Sequence, residues 1–308
     1  MSDAASPNGT APDKGAAIDV CICTYKRPSI VQTLESIAAQ RGLDDASLRV
    51  VVADNDVEPR AQDLVTETCR RLGLNCFYVH APAQNISIAR NACLDAATAP
   101  LAVFIDDDEE AAPDWIAQLL EGRRSTGAQV VFGAVKAVYP PDAPGWLARA
   151  DLHSTKATVR GGERVESGYT CNVLFERAAL GGDRFDLALG RSGGEDTVFF
   201  NRLYRRGVRL AFWNGALVTE FVPPQRGKLS WLLKRSFRSG QTHGALLLER
   251  GAPRLKSAAV AAVKAGYCLA GAGLGLMSPA AWRRALVRGA LHAGAVARLL
   301  GRKELELY

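Results

Sequence analysis

The 308-residue chain has no paired-cysteine motif and only four histidines. Its seven cysteines (21, 23, 69, 76, 93, 171 and 268) are scattered and odd in number. That pattern argues against a disulfide framework and against a zinc site, and it fits a reducing cytoplasm. The apolar core of a signal peptide is also missing. Residues 1–16, MSDAASPNGTAPDKGA, are small and polar and are expected to form a disordered tail. No internal repeat is present. What remains is an ordinary globular composition, 48% hydrophobic and 23% charged. The length suits one large domain or a domain with an appendage.

The charge is unevenly placed. From Arg226 to Tyr308 there are 15 Lys and Arg against 3 Asp and Glu, while the rest carries 23 against 29. A mildly acidic body therefore joins a basic tail, and such tails meet phosphate in nucleic acid or in anionic lipid.

Apolar runs and helical patterns alternate along the first half. IDVCICT (18–24), LRVVVADN (48–55), NCFYVH (75–80) and LAVFID (101–106) predict buried strands. The segment after Pro28, Pro59–Gly73, ISIARNACLDAA (86–97) and Pro113–Arg124 predict helices between and after them. This order predicts a doubly wound, mainly parallel α/β sheet whose ligands sit beyond the carboxyl ends of the strands. Further strands are expected at 128–139 and 169–177, a loop at YPPDAPGW (139–146) and a helix at 193–207.

Each strand end carries polar residues, and FIDDDEE puts five acids together at Asp106–Glu110. One or two acids there are ordinary turn or cap residues. Five adjacent acids repel one another, and a divalent cation would relieve them. Mg²⁺ or Mn²⁺ prefers carboxylate oxygens and shares its shell with substrate phosphates. A nucleotidyl or phosphoryl transferase could use the same acids, but it would carry a glycine-rich phosphate loop after the first strand, where this chain has TYKRP. A non-catalytic, membrane-recruited assembly subunit is a third possibility.

Five segments, IDVCICTYKRPSIVQTLESI, VVADND, NISIARNACL, FIDDDEE and GGEDTVFFNRL, follow in an order and spacing that resembles the family 2 glycosyltransferases. These are inverting enzymes of the GT-A fold, and the bacterial exopolysaccharide branch, succinoglycan-type, is the most similar. The resemblance covers residues 17–225 and implies a catalytic domain there. It implies a UDP-sugar donor, with Thr24, Tyr25, Arg27, Asp54, Arg90, Asp106 and Asp107 around the nucleotide sugar. It implies Mg²⁺ or Mn²⁺ on Asp106 and Asp108. Asp54 would meet the uracil ring and Arg90 the diphosphate, while Asp107 and Glu109 are alternatively solvated. Asp196 would be the general base, with Glu195 beside it. On local sequence alone, both acids also fit the first turn of a helix, where the macrodipole favours them.

Trp146 is read either as a border of the acceptor site or as a hydrophobic anchor, and Asn172 has no evident role. His243 is more readily structural than a third metal ligand. The QxxRW motif of processive relatives is absent, which favours single-sugar transfer. Arg238 and Gly240 are candidates for the acceptor site. Residues 226–308 are expected to form a basic amphipathic helical region. The stretch 258–282 is long enough to span a bilayer but weakly hydrophobic. A peripheral place on the cytoplasmic side of the inner membrane, against anionic lipid, is the expectation. The acceptor would then be a lipid-linked saccharide, and no nucleic acid is expected.

Overall fold

A computed structural model describes residues 15–43, 46–155 and 165–305. Of the expected tail, residues 1–14 lie outside the described residues. The body begins β1 (Ala17–Thr24), α1 (Ile30–Ala38), β2 (Ser47–Asp54), α2 (Gln62–Leu72), β3 (Cys76–His80), α3 (Ile86–Ala96) and β4 (Leu101–Ile105). It continues with β5 (Glu109–Ala111), α4 (Trp115–Thr126), β6 (Val130–Val138), α5 (Gly145–Ala150), β7 (Asn172–Glu176), α6 (Arg177–Leu180), α7 (Glu195–Arg205) and β8 (Leu210–Phe221). Three helices of 21 residues follow: α8 (Leu229–Glu249), α9 (Arg254–Leu274) and α10 (Pro279–Leu299).

The strands form one sheet in the order β3-β2-β1-β4-β7-β6-β8-β5. Alternate residues of β1 serve two cores, because side chains of a strand alternate between faces. Val20 and Ile22 pack with Leu34, Trp115 and Ile116 on one face. Cys21 packs with Ala89, Cys93 and Phe104 on the other. Burial on both faces is why these strands read as unbroken apolar runs. The pairs β1–β2, β1–β4, β2–β3 and β6–β8 are parallel, whereas β7 runs antiparallel to both β4 and β6.

Two strands escaped the sequence. β5 is an acidic edge strand paired antiparallel with β8. In β8 the register against β6 slips between Gly133 and Ala134, where Asn214–Ala216 bulge outward. Asn172 seals that bulge: its amide donates to Ala134 O and Ala216 O, both at 2.9 Å, and accepts from the indole of fully buried Trp115 at 2.8 Å. Its role is therefore structural. The expected loop at 139–146 gives way to α5 from Gly145 onward.

The C-terminal helices correct another expectation. The stretch 258–282 is not one helix: α9 ends at Leu274, a turn follows, and the Ser278 hydroxyl caps α10 with Pro279 at its start. By length and composition α9 could cross a membrane, with a mean hydropathy of 1.3. α10 lies against both α8 and α9. A Cβ at Gly240 would fall 1.8 Å from Leu291 O, and one at Gly294 would fall 1.9 Å from Phe237 O. Gly240 thus permits helix contact and does not line an acceptor site.

Candidate active site

The strand ends meet where the sheet predicts a cleft. The Asp54 carboxylate is fully enclosed. It accepts from the Asp56 amide at 2.9 Å, the Ala61 amide at 3.2 Å and the Tyr78 hydroxyl at 2.6 Å, and so orders the loop after β2. Opposite it, Lys26 has a φ of +56°, an uncommon conformation for a residue with a side chain. Its ammonium lies 3.4 Å from buried Asp56, and Tyr25 beside it is exposed.

The acid run divides its labour. Asp107 is buried, accepting from the Thr24 hydroxyl at 2.8 Å and from Arg27 at 2.9 Å. Glu109 is also buried and accepts from the Asp106 amide at 3.0 Å. The alternative of solvated side chains is overturned for both: they brace the loop. Asp108 pairs with Arg27 at 2.6 Å and lies 3.9 Å from Arg226. No hydrogen bond or ion pair to the Asp106 carboxylate occurs among the described residues.

This cluster is short of positive charge. Burial, against the opposing pull of Arg27, pushes Asp107 up to about 6. Burial also raises Asp106, with Asp108 adding to it against Arg90, and raises Glu109 well above the ordinary carboxylate range, with Asp106 adding to it. Among the described residues no group of three or more His, Cys, Asp and Glu is arranged to hold a metal by itself. An unpartnered Asp106 with Asp108 nearby is the all-oxygen, incomplete donor set that suits Mg²⁺ or Mn²⁺ shared with phosphates. His243 stands on α8 with its imidazole pushed down by burial and then by Arg250 and Lys264, and among the described residues it joins no group of three or more His, Cys, Asp and Glu able to hold a metal.

The second group sits on α3 and α7. The Asn85 side chain caps α3 by accepting from the Ser87 and Ile88 amides, and Arg90 follows about one turn later. Arg90 is buried and forms a close ion pair with buried Glu195, its guanidinium 5.6 Å from the Phe185 ring. Arg90 therefore faces the acid that opens α7, and the Glu195 Oε2 is buried without a hydrogen-bond partner. Asp196 is only half-buried, and one of its oxygens accepts from the Thr197 amide at 2.6 Å. Burial first, then the Glu195 charge, raises its pKa to about 7 against the pull of Arg90.

The loop before α7 is braced from afar. Gly194 has φ +87°, and a Cβ there would fall 2.4 Å from Thr242 Oγ1, so only glycine fits. Buried Arg238 of α8 donates to Ser192 O at 2.7 Å, Gly193 O at 2.6 Å and Thr242 Oγ1 at 2.8 Å, and pairs with Glu304 at 3.0 Å. Arg238 thus positions the α7 entrance and does not face an acceptor. Its role and that of Arg226 were not evident in the sequence, because both reach partners that are near only after folding.

These raised carboxyls predict a stability profile. The folded chain holds protons that the unfolded chain has already released, so stability falls as pH rises from about 4 through about 7. Thermal melts in chelator should show Tm dropping by several degrees between about pH 5.5 and about pH 8. Mn²⁺ should restore more at the higher pH, where it meets ionised acids. An equal or smaller Mn²⁺ effect at high pH would contradict this.

Residues 19–182 match glycosyl transferase family 2. The chain is 47% identical over 301 residues to the succinoglycan biosynthesis protein ExoM of Rhizobium meliloti (strain 1021), covering 96% of this chain and 97% of that protein. Among solved structures, the mannosyltransferase PcManGT from Pyrobaculum calidifontis in complex with GDP-Man and Mn²⁺ aligns with a TM-score of 0.64 at 21% identity, over 97% and 92% of the two chains. S. aureus TarS 1-349 in complex with UDP-GlcNAc aligns with a TM-score of 0.52 at 19% identity, over 67% and 59%. At these identities the two structures speak for the fold.

Proposed function

The chain belongs to glycosyl transferase family 2, and from that membership we propose that it moves a sugar, with inversion, from a UDP-sugar to a hydroxyl of a lipid-linked saccharide in exopolysaccharide assembly. Membership in this family sets aside the nucleotidyltransferase reading. One observation carries the proposal. Arg90 of α3 is ion-paired with Glu195 at the start of α7, and its charge also acts on Asp196 and on Asp106 at the end of β4. Acids from the end of β4 and from the start of α7 would therefore share one site around Arg90.

In that cleft the loops after β1 and β2 would hold the nucleoside. Tyr25 offers an exposed ring, and Asp54 keeps the second loop in shape. Arg27, Arg226 and Arg90 supply positive potential around the diphosphate. Asp106 and Asp108 would hold the divalent cation, which supplies charge neutralisation to the leaving nucleotide. The Mn²⁺ bound by PcManGT supports that cation class, and the UDP-GlcNAc bound by TarS supports a uridine donor. Asp196 accepts the proton of the acceptor hydroxyl as its oxygen attacks the anomeric carbon. Its raised pKa places it near the working pH, where a base is most effective.

The membrane side rests on exposure. Leu255, Val263, Tyr267 and Met277 are 77%, 73%, 81% and 96% exposed on α9 and the turn after it, in a region of net positive charge. Apolar side chains flanked by Lys and Arg suit an anionic bilayer surface, here the cytoplasmic leaflet of the inner membrane. The test is transfer of labelled sugar from UDP-sugars into organic-extractable lipid, using purified protein and membranes of a succinoglycan producer. Transfer that requires Mn²⁺ or Mg²⁺ is expected. Membrane binding without turnover of any UDP-, GDP- or dTDP-sugar would instead indicate a non-catalytic assembly subunit.

A further inference from the structure

Beside the acid cluster, not within it, lies a cavity of about 390 Å³. That volume falls in the range of small-molecule sites. Its walls are the 139–147 segment that runs into α5, the 222–229 segment after β8, and Arg283 of α10. Pro140, Pro144, Trp146, Leu147, Pro223 and Pro224 make it largely apolar. Two cations open onto it, Lys228 and Arg283, against one acid, Asp142.

The wall from α10 is fastened in place. The Arg283 guanidinium stands 4.8 Å from the Trp146 ring and 4.0 Å from the Trp282 ring. The neighbouring Arg284 donates to Ala150 O at 2.8 Å, which ties α10 to the end of α5. The pocket's two neighbours in the chain say what it joins. Arg226, directly before the cavity-lining Gly227, pairs with Glu220 at 2.7 Å and reaches to 3.9 Å from Asp108. The end of α9 and the turn that leads into α10 carry Leu274, Leu276 and Met277, which are 89%, 67% and 96% exposed. The cavity therefore adjoins the candidate donor site through Arg226, and α10, which supplies Arg283 to its wall, follows directly on a strongly exposed apolar turn.

An apolar-walled space with two cations, placed there, suits an amphiphile whose apolar chain carries a phosphate. The proline, tryptophan and leucine walls match an apolar chain, and the polar lining is confined to Tyr139, Asp142, Lys228 and Arg283. An ammonium and a guanidinium make charge-assisted bonds to phosphate oxygens. We propose that this cavity seats the lipid end of the acceptor: the phosphate on Lys228 and Arg283, the first carbons of the chain against the prolines, and the saccharide directed past Arg226 toward Asp108. This rests on the glycosyltransferase reading for its reaction, but the binding it predicts can be measured without turnover.

The probe is farnesyl phosphate, titrated calorimetrically into the full chain, with farnesol, inorganic phosphate and phosphatidylglycerol vesicles as separate arms. Saturable binding of farnesyl phosphate is expected, with farnesol and phosphate each weaker by about tenfold or more. Lys228→Ala with Arg283→Gln should weaken farnesyl phosphate by about tenfold or more. Ala143→Trp, which fills the space and keeps both charges, should do the same. UDP binding in the presence of Mn²⁺ should be unchanged in all of these variants. Wild-type affinity for farnesyl phosphate in both variants would overturn the proposal. So would full competition by the vesicles, which would reassign the charges to a general membrane patch. If the wild type bound farnesyl phosphate but not UDP, the donor-site reading would fall and this one would stand.

Discussion

Asp196→Asn is expected to lower the rate of sugar transfer by about 10²–10⁴ while leaving UDP binding unchanged. The substitution keeps the side chain's shape and its Oδ1, which accepts from the Thr197 amide at 2.6 Å. Only the proton acceptor is lost. In the wild type that acceptor titrates near neutrality, because burial and the Glu195 charge raise it to about 7 against Arg90. A carboxylate acting as base must be ionised, so kcat/KM should fall about tenfold per unit as pH drops below about 7. An Asn variant that keeps the wild-type rate would remove Asp196 from the chemistry.

The acid next to it should behave differently. Glu195→Ala is expected to destabilise the fold by about 3–5 kcal/mol, because it strands the buried Arg90 charge. For a chain of this size that is a drop in Tm of roughly 10 °C. Replacing both partners with apolar residues, as in Arg90→Met with Glu195→Leu, should recover much of the stability, since the desolvation of two ions disappears with them. A Glu195→Ala protein with the wild-type Tm would show that Arg90 has other sufficient partners. Two adjacent acids are thereby separated, Glu195 through the Tm and Asp196 through the rate, although the sequence presents them as one ED pair.

That contrast marks what could be read in advance. β1, β2 and β4 were legible because a parallel strand covered on both faces is apolar almost throughout, as in the wholly buried LAVFI of β4, and the edge strand β3 because its short CFYVH run is aromatic and β-branched. β8 was hidden because Asn214 and Gly215 look like a turn, whereas they form the bulge that lets Gly133 and Ala134 change register. β5 was hidden because two of its three residues are glutamates. The acid run announced a charged site at the strand end. It did not announce which acids face the cleft, because Asp107 and Glu109 are placed by Thr24, Arg27 and Thr33, about 80 positions away along the chain. The break between α9 and α10 did have a local signal, Ser278 followed by Pro279, which the apolar run around it obscured. The Arg238 brace had none, since an arginine in a basic helix looks like a surface charge until its carbonyl partners fold against it.

The proposed reaction depends on Asp106 and Asp108 sharing a cation with a nucleoside diphosphate. Calorimetric titration of UDP into the purified protein, with Mn²⁺ and with chelator, for the wild type and for Asp108→Ala, tests it most directly. Binding should require Mn²⁺ and weaken by about tenfold or more in Asp108→Ala. UDP binding of equal strength in chelator, or unchanged in Asp108→Ala, would contradict it.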